Sequence, residues 1–135
     1  MEKITVTAKI SAELQKVWDF YTQPEHITQW NFADPSWHCP SATNDMKVGG
    51  TYLARMEAKD GSMGFNFEAV YSEIKEKERF TYGFEGREVE VIFKSQSEYT
   101  EVFIHFDPEN ENPLELQKAG WQAILNNYKN YTESH

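Results

Sequence analysis

Residues 49–74 read GGTYLARMEAKDGSMGFNFEAVYSEI, and this stretch decides the fold. Apolar side chains occupy every second position on both sides of the pair Asp60-Gly61. Before the pair they are Tyr52, Ala54 and Met56, and after it Phe65, Phe67, Ala69 and Tyr71. Such alternation is typical of a strand with one buried face, and an Asp-Gly pair favours a tight turn. The stretch therefore predicts a β-hairpin whose buried face is rich in aromatic rings.

The same pattern continues to residue 106. Turn signals at Glu85-Gly86 and Ser97-Glu98 separate three further segments with apolar residues at alternate positions. The residues predicted to face inward are Phe80, Tyr82, Phe84, Val89, Val91, Phe93, Thr100, Val102, Ile104 and Phe106. Consecutive hairpins of this kind predict a meandering antiparallel sheet.

Before residue 49, a strand over residues 4–10 is followed by two predicted short helices. Leu14, Val17, Trp18 and Tyr21 recur at helical spacing after Ser11, which is the predicted N-cap. Thr22-Gln23-Pro24-Glu25 has the pattern of a capping box and predicts the second helix. Residues 31–40 contain two prolines and predict a loop that leads into a short strand around residues 37–43.

The segment from Leu114 to about Tyr131 predicts the longest helix. Its apolar face comprises Leu116, Gly120, Trp121, Ile124, Leu125 and Tyr128. A curved antiparallel sheet must cover its concave face, and only this helix is long enough to do so. The expected fold is α+β and of the helix-grip type: about seven antiparallel strands around a long C-terminal helix, with two short helices after the first strand.

The length, charge and cysteine content of the chain exclude several classes of function. The chain has 135 residues, which suits one domain over residues 1–135, and a formal net charge of −9, which would repel nucleic acid and anionic membranes. Aromatic residues make up 15% of the chain and supply a large apolar surface. A single cysteine, Cys39, and an N-terminus that reads as a strand lead us to expect a cytoplasmic protein without disulfides.

Several motifs resemble the family of homologues of the activator of heat-shock protein 90 ATPase, within the START-like (SRPBCC) superfamily. They are Val17-Trp18, Thr22-Gln23-Pro24-Glu25, Gln29-Trp30, Val48-Gly49-Gly50-Thr51-Tyr52, Asp60-Gly61, Glu73-Ile74 with Arg79 and Tyr82, and Gly120-Trp121 with Leu125. Their order and spacing cover nearly the whole chain. The resemblance implies a deep cavity between sheet and helix, in a superfamily that includes ligand binders, cyclases and co-chaperone domains.

The alternation of residues predicts which side chains line such a cavity. The sheet is expected to contribute Tyr52, Met56, Phe67, Tyr71, Tyr82, Phe93 and Val102, and the helix Trp121, Leu125 and Tyr128, with Trp30 and Trp37 near the mouth. Apolar walls with a few hydroxyls suit a small hydrophobic or aromatic molecule. The alternative is that these rings simply fill the core, as stripes of this spacing more often do.

The sequence contains no recognisable catalytic or metal-binding constellation. His26, His38, His105 and His135 are scattered, and the neighbours His38 and Cys39 point to opposite faces of a strand. Cys39 is expected to pack as a small apolar residue, and His105 to face outward beside Phe103. We therefore expect no catalytic residue, metal or cofactor.

Three functions remain open. The first is binding of a small hydrophobic molecule without catalysis, by a monomer or homodimer. The second is a co-chaperone role through surface contacts with a chaperone partner, for which the acidic surface offers charge but no defined patch. The third is a cyclase-like or hydrolase-like reaction on a hydrophobic substrate, which would require buried polar groups among the lining residues.

Overall fold

The structure is a computed structural model that describes residues 2–135, and it confirms the predicted α+β fold. The strands are β1 (Ile4–Ile10), β2 (Trp37–Asn44), β3 (Thr51–Ala58), β4 (Gly64–Lys75), β5 (Arg79–Phe84), β6 (Arg87–Ser95) and β7 (Thr100–Phe106). The helices are α1 (Leu14–Thr22), α2 (Pro24–Trp30) and α3 (Leu114–Ser134). All seven strands form one curled antiparallel sheet in the order β1-β7-β6-β5-β4-β3-β2.

The inner face of the sheet is the apolar face that the alternation predicts. Ala54 lies opposite Phe67 across β3 and β4, and Val102 lies opposite Phe93 across β6 and β7. A bulge between Tyr71 and Glu73 shifts the register of β4 against β5. Because a bulge increases the local bend and twist of a strand, it contributes to the curl of the sheet.

A two-residue turn closes the hairpin of β5 and β6. Phe84 pairs with Arg87, and the residues between them, Glu85 and Gly86, have φ angles of 51° and 75°. Positive φ at both central positions is typical of a type I′ turn, whose twist matches that of the strands. The turn therefore places the Phe84 ring at the end of the sheet.

Both predicted caps of the short helices are wrong. The N-cap of α1 is Glu13 and not Ser11, whose backbone N–H donates to the Glu133 carboxylate at 2.8 Å. Thr22 belongs to α1, where its hydroxyl donates to the Trp18 carbonyl oxygen at 2.8 Å, and Gln23 is the N-cap of α2. Local hydrogen bonds within α1 and a tertiary contact to α3 thus outcompete the predicted capping bonds.

The long helix α3 lies against the inner face of the sheet, as predicted, and extends three residues beyond Tyr131. Trp121 stacks on Phe106 of β7, with ring centroids 4.3 Å apart. At the other end, the Tyr128 hydroxyl donates to the Val17 carbonyl oxygen at 2.5 Å. These contacts fix α3 against β7 and α1, and they leave its first half free to face β3 to β6.

Candidate ligand-binding cavity

A cavity of about 820 Å³ lies between the inner face of β3 to β6 and the first half of α3. Its walls are mainly apolar or aromatic side chains: Tyr21, Trp30, Tyr52, Met56, Phe65, Phe67, Tyr71, Phe80, Tyr82, Phe84, Ile104, Leu116, Trp121, Ile124 and Leu125. This volume is within the range of sites that enclose small molecules, about 300–1,000 Å³. The rings therefore surround space instead of filling it completely.

The cavity has a closed end and an open end. Tyr71, Phe80 and Tyr52 lie at the closed end, where each is less than 10% exposed. At the opposite end, Phe65 is 50% exposed and Leu116 is 60% exposed, although both line the cavity. Because the β5–β6 turn and the start of α3 also lie there, this end is the mouth.

Aromatic rings in contact with one another form the sheet side of the cavity. Tyr52 and Tyr82 stack with ring centroids 5.8 Å apart and planes 5° from parallel. Phe67 packs edge-on against Tyr82 at 5.9 Å and contacts Phe84 at 4.7 Å. Rings that pack in these geometries stabilise one another's positions, which favours a preformed wall.

A hydrogen-bonded chain closes the deep end. The Tyr71 hydroxyl donates to Oδ1 of Asn44 at 2.6 Å, and Nδ2 of Asn44 donates to the Thr22 carbonyl oxygen at 2.7 Å. Nearby, Nδ2 of Asn31 donates to the Tyr52 hydroxyl at 3.3 Å. Burial raises the pKa of both tyrosines above the ordinary value. The floor is therefore polar, neutral and largely satisfied internally.

The charged side chains that border the cavity are mostly of one sign. Glu68, Glu85 and Glu109 line the cavity together with one cation, Arg87. The Arg87 guanidinium lies over the Phe84 ring at 4.5 Å and 3.5 Å from the Glu85 carboxylate. Arg87 is thus already engaged by an aromatic face and a carboxylate, and the rim is acidic on balance.

Eight of the twelve residues predicted to line the cavity do so: Trp30, Tyr52, Met56, Phe67, Tyr71, Tyr82, Trp121 and Leu125. Of the others, Phe93 packs on Trp18 with ring centroids 5.1 Å apart, and Tyr128 is fully buried against Trp30 and Tyr21. Trp37 does not line the cavity, and its ring centroid lies 6.0 Å from that of Phe65 at the mouth. Val102, also predicted, is fully buried opposite Phe93.

Two predicted positions within the cavity differ from expectation. Trp30 is 2% exposed, so it lies inside and not near the mouth, and its indole N–H donates to the Phe20 carbonyl oxygen at 2.9 Å. Tyr21 and Asn44 line the deep end but were not among the predicted wall residues. Tyr21 belongs to the apolar stripe of the first predicted helix, and this pattern could have identified it as a buried wall residue. No local pattern identifies Asn44.

The histidines and the cysteine lie outside the cavity. Nδ1 of His26 is 2.8 Å from the Tyr131 hydroxyl, and His38 is 3.6 Å from Glu57. Cys39 is buried, and burial raises the pKa of its thiol. Within residues 2–135, no three potential metal ligands come together. No helix in this part of the chain is long and apolar enough to cross a membrane.

Comparison with known proteins places the chain in a family. A family model described as activator of Hsp90 ATPase homolog 1-like protein matches residues 11–133. No curated protein sequence matches the chain at a significant level.

Solved structures show the same fold along almost the whole chain. The AHSA1-like protein from Aeromonas hydrophila is 38% identical with a TM-score of 0.93, and a protein from Cytophaga hutchinsonii is 47% identical with a TM-score of 0.85. Both alignments cover 98% of this chain and 92% of the other. A protein from Chromobacterium violaceum, 22% identical with a TM-score of 0.86 over 98% of this chain and 99% of the other, shares the fold. The chain therefore belongs to the family of activator of Hsp90 ATPase homolog 1-like proteins.

Proposed function

We propose that this protein binds a small hydrophobic or aromatic molecule in the cavity between the sheet and α3, without catalysing a reaction on it. The observation that carries the proposal is an aromatic-walled space of about 820 Å³ with one open end. Enclosure of a hydrophobic guest there removes apolar surface from water, which stabilises the complex by about 25 cal/mol per Å² before the entropic cost of binding.

The side chains around the cavity support binding more than chemistry. The closed end holds tyrosines and asparagines, and burial keeps the tyrosine hydroxyls protonated by raising their pKa. Glu85 and Arg87 lie at the rim, where they pair with each other. Such a site orients a guest through hydrogen bonds and shape.

We also propose a cellular compartment and a domain organisation for this binding function. We place the protein in the cytoplasm, since its single cysteine, Cys39, is a buried free thiol. We treat residues 1–135 as one START-like domain that encloses its ligand without help from another domain.

Native mass spectrometry of the freshly purified protein, beside its denatured mass, tests the proposal. A reproducible extra mass in the native spectrum, lost on denaturation, is the expected result, because an enclosed apolar guest is retained during purification. A native mass equal to the denatured mass, combined with no rise in the melting temperature in a panel of lipophilic compounds, would contradict the proposal.

A second candidate is a co-chaperone role, which the family description suggests. Exposed apolar side chains around the mouth favour it: Met63, Phe65, Leu114 and Leu116 are each at least 50% exposed. Exposed apolar patches often mark protein contacts. Stimulation of the ATPase activity of a heat-shock protein 90 chaperone by the purified protein, abolished by Leu116→Asp, is the result this candidate requires.

A further inference from the structure

Two tyrosine hydroxyls in the cavity have no hydrogen-bond partner among the residues that the structure describes. The hydroxyls of Tyr52, Tyr71 and Tyr128 bond to Asn31, Asn44 and the Val17 carbonyl, respectively. Those of Tyr21 and Tyr82 make no hydrogen bond within residues 2–135. The one fully enclosed polar side-chain atom that lacks a partner in this part of the chain is the Thr132 hydroxyl. The free hydroxyls of Tyr21 and Tyr82 therefore reach the open space of the cavity.

These two hydroxyls belong to neighbouring rings near the deep end. Both rings pack on Phe80, with ring centroids 5.9 Å from it in each case. Tyr82 is only 6% exposed, so its hydroxyl has little access to bulk water. A donor in this position gains most from an acceptor carried by the ligand itself, because a buried polar group without a partner is costly.

The charge around the cavity limits which acceptor can enter. The lining has three carboxylates and one cation, and Arg87 is already paired with Glu85. No lysine or arginine accompanies Tyr21 and Tyr82 in the deep half of the lining. An anionic group placed there would lose its hydration without a counter-charge.

We infer that the cavity selects neutral aromatic molecules that carry a hydrogen-bond acceptor, such as an aryl ketone, and disfavours carboxylates. The hydroxyls of Tyr21 and Tyr82 donate to that acceptor at the deep end, and the apolar part of the ligand lies towards Trp121 and the mouth. This inference rests on the proposed ligand-binding function and names the class of ligand.

Three probes of the same size and shape test the inference by isothermal titration calorimetry. They are 2-acetylnaphthalene, 2-isopropenylnaphthalene, in which a methylene group replaces the carbonyl oxygen, and 2-naphthoate. The ketone is expected to bind about tenfold more tightly than the hydrocarbon, as one satisfied hydrogen bond implies, and more tightly than the carboxylate by at least as much. In a variant with both Tyr21→Phe and Tyr82→Phe, the ratio of ketone to hydrocarbon affinity is expected to fall to about one.

The outcomes separate this inference from the proposed function. Equal affinities of wild type for ketone and hydrocarbon, or tighter binding of 2-naphthoate, would overturn the selectivity and leave ligand binding intact. An unchanged ratio in the double variant would overturn the role of the two hydroxyls. Failure of all three probes to bind would count against the proposed function itself, and against this inference with it.

A glycine in α3 carries a second, independent inference. Gly120 lies in the interior of the 21-residue helix, where glycine is less favourable than alanine. A Cβ atom built at Gly120 would meet no atom within 4 Å, so no close packing requires a glycine there. The neighbouring positions of the same helix face, Leu116, Trp121 and Ile124, line the cavity, as does Gly120 itself.

We propose that Gly120 determines the size of ligand that the cavity accepts. Without a side chain, this position leaves a notch in the wall of α3 between Leu116 and Ile124, one turn on either side. A larger residue there would stabilise the helix but occupy space that a bulky ligand needs. The glycine is thus explained by ligand capacity and not by backbone geometry.

Gly120→Leu and Ala119→Leu form a matched pair that tests this role, because Ala119 is on the exposed side of the same helix turn. Gly120→Leu is expected to raise the melting temperature by about 3–5 °C. It should weaken binding of 1-acetylpyrene at least tenfold and of 2-acetylnaphthalene by much less. Ala119→Leu is expected to leave both affinities unchanged. Wild-type affinity of Gly120→Leu for 1-acetylpyrene, or an equal loss in both variants, would overturn the proposal.

Discussion

The Tyr71 hydroxyl donates a hydrogen bond of 2.6 Å to Oδ1 of Asn44, although 27 positions separate the two residues in the chain. The same Asn44 side chain donates to the Thr22 carbonyl oxygen, so it connects β4 to the end of α1. This link closes the deep end of the cavity. It also gives a hydrogen-bond partner to each of the polar groups that it joins, as buried polar groups require.

Removal of this hydrogen bond should reduce stability more than removal of an unpaired hydroxyl. Tyr71→Phe leaves Oδ1 of Asn44 without its donor, and we expect a loss of about 1–2 kcal/mol in the free energy of unfolding. The matched variant Tyr82→Phe removes a hydroxyl that has no partner within residues 2–135 and should change stability by less than about 0.5 kcal/mol. Urea denaturation measures both. Equal losses in the two variants would show that the Asn44 link is not a stabilising contact.

A charge on the inner face of β4 should abolish ligand binding, whereas the same charge on the outer face should not. Phe67 lines the cavity, and Val70, three residues further along β4, is 48% exposed on the opposite face. We expect Phe67→Arg to lose binding of 2-acetylnaphthalene and Val70→Arg to bind it within about twofold of wild type.

Circular dichroism shows whether both arginine variants fold. If Phe67→Arg does not, Phe67→Ser places a smaller polar group at the same position and is expected to weaken binding in the same direction. Wild-type affinity in a folded variant of Phe67 would exclude β4 from the binding site.

Two tryptophans should differ in their effect on binding. Trp121 lines the cavity and stacks on Phe106 with ring planes 14° from parallel, whereas Trp37 does not line it and only packs behind Phe65. Trp121→Ala is expected to cost about 2–3 kcal/mol of stability, below the range for fully buried tryptophans, and to weaken binding at least tenfold. Trp37→Ala should lower stability less and leave affinity unchanged. A larger loss of affinity in Trp37→Ala than in Trp121→Ala would show that the ligand depends on β2 more than on the wall formed by α3.

Stability should fall at alkaline pH because burial raises the pKa of several tyrosines. Tyr52, Tyr82 and Tyr128 have pKa values well above the ordinary 10.0, and desolvation is the main cause. In the unfolded chain these groups ionise near pH 10, while in the folded protein they stay protonated. The contribution of these tyrosines to the free energy of unfolding is therefore complete below about pH 10. It is lost as the pH rises further, by up to about 1.4 kcal/mol per pH unit for each tyrosine.

Urea midpoints between about pH 9 and pH 11.5 measure this loss. The phenolate absorbance of these three buried tyrosines should rise together with unfolding and not before it. Tyr82→Phe removes one of the titrating groups and should make the decline in stability with pH shallower. A midpoint that stays constant across this range would show that the tyrosines are accessible to water in the folded state.

Most of the fold follows from local periodicity. Alternation around Asp60-Gly61 and Glu85-Gly86 predicts the hairpins, and the helical spacing from Leu114 predicts α3. The helix caps are less predictable, because Ser11 and Thr22 have several possible hydrogen-bond partners of similar strength. Ser11 contacts Glu133 at the far end of the chain, and no local pattern encodes a contact of that kind.

The distinction between cavity and core could be predicted only in part. Phe93 and Tyr82 occupy equivalent inward positions on neighbouring strands, yet Phe93 packs on Trp18 in the core and Tyr82 lines the cavity. What separates them is the position of α1, whose rings cover one half of the concave face. Asn44 illustrates the same limit, since its role depends on α1 and β4 meeting at the floor.

The sequence by itself determined which residues face inward, because the periods of two and of 3.6 residues follow directly from strand and helix geometry. It also determined the family, through motifs spread along the chain. Only the tertiary structure decided which inward rings surround open space and which fill the core. That outcome depends on the curl of the sheet and on where α1 and α3 cross it, and these are collective results of packing between residues far apart in sequence.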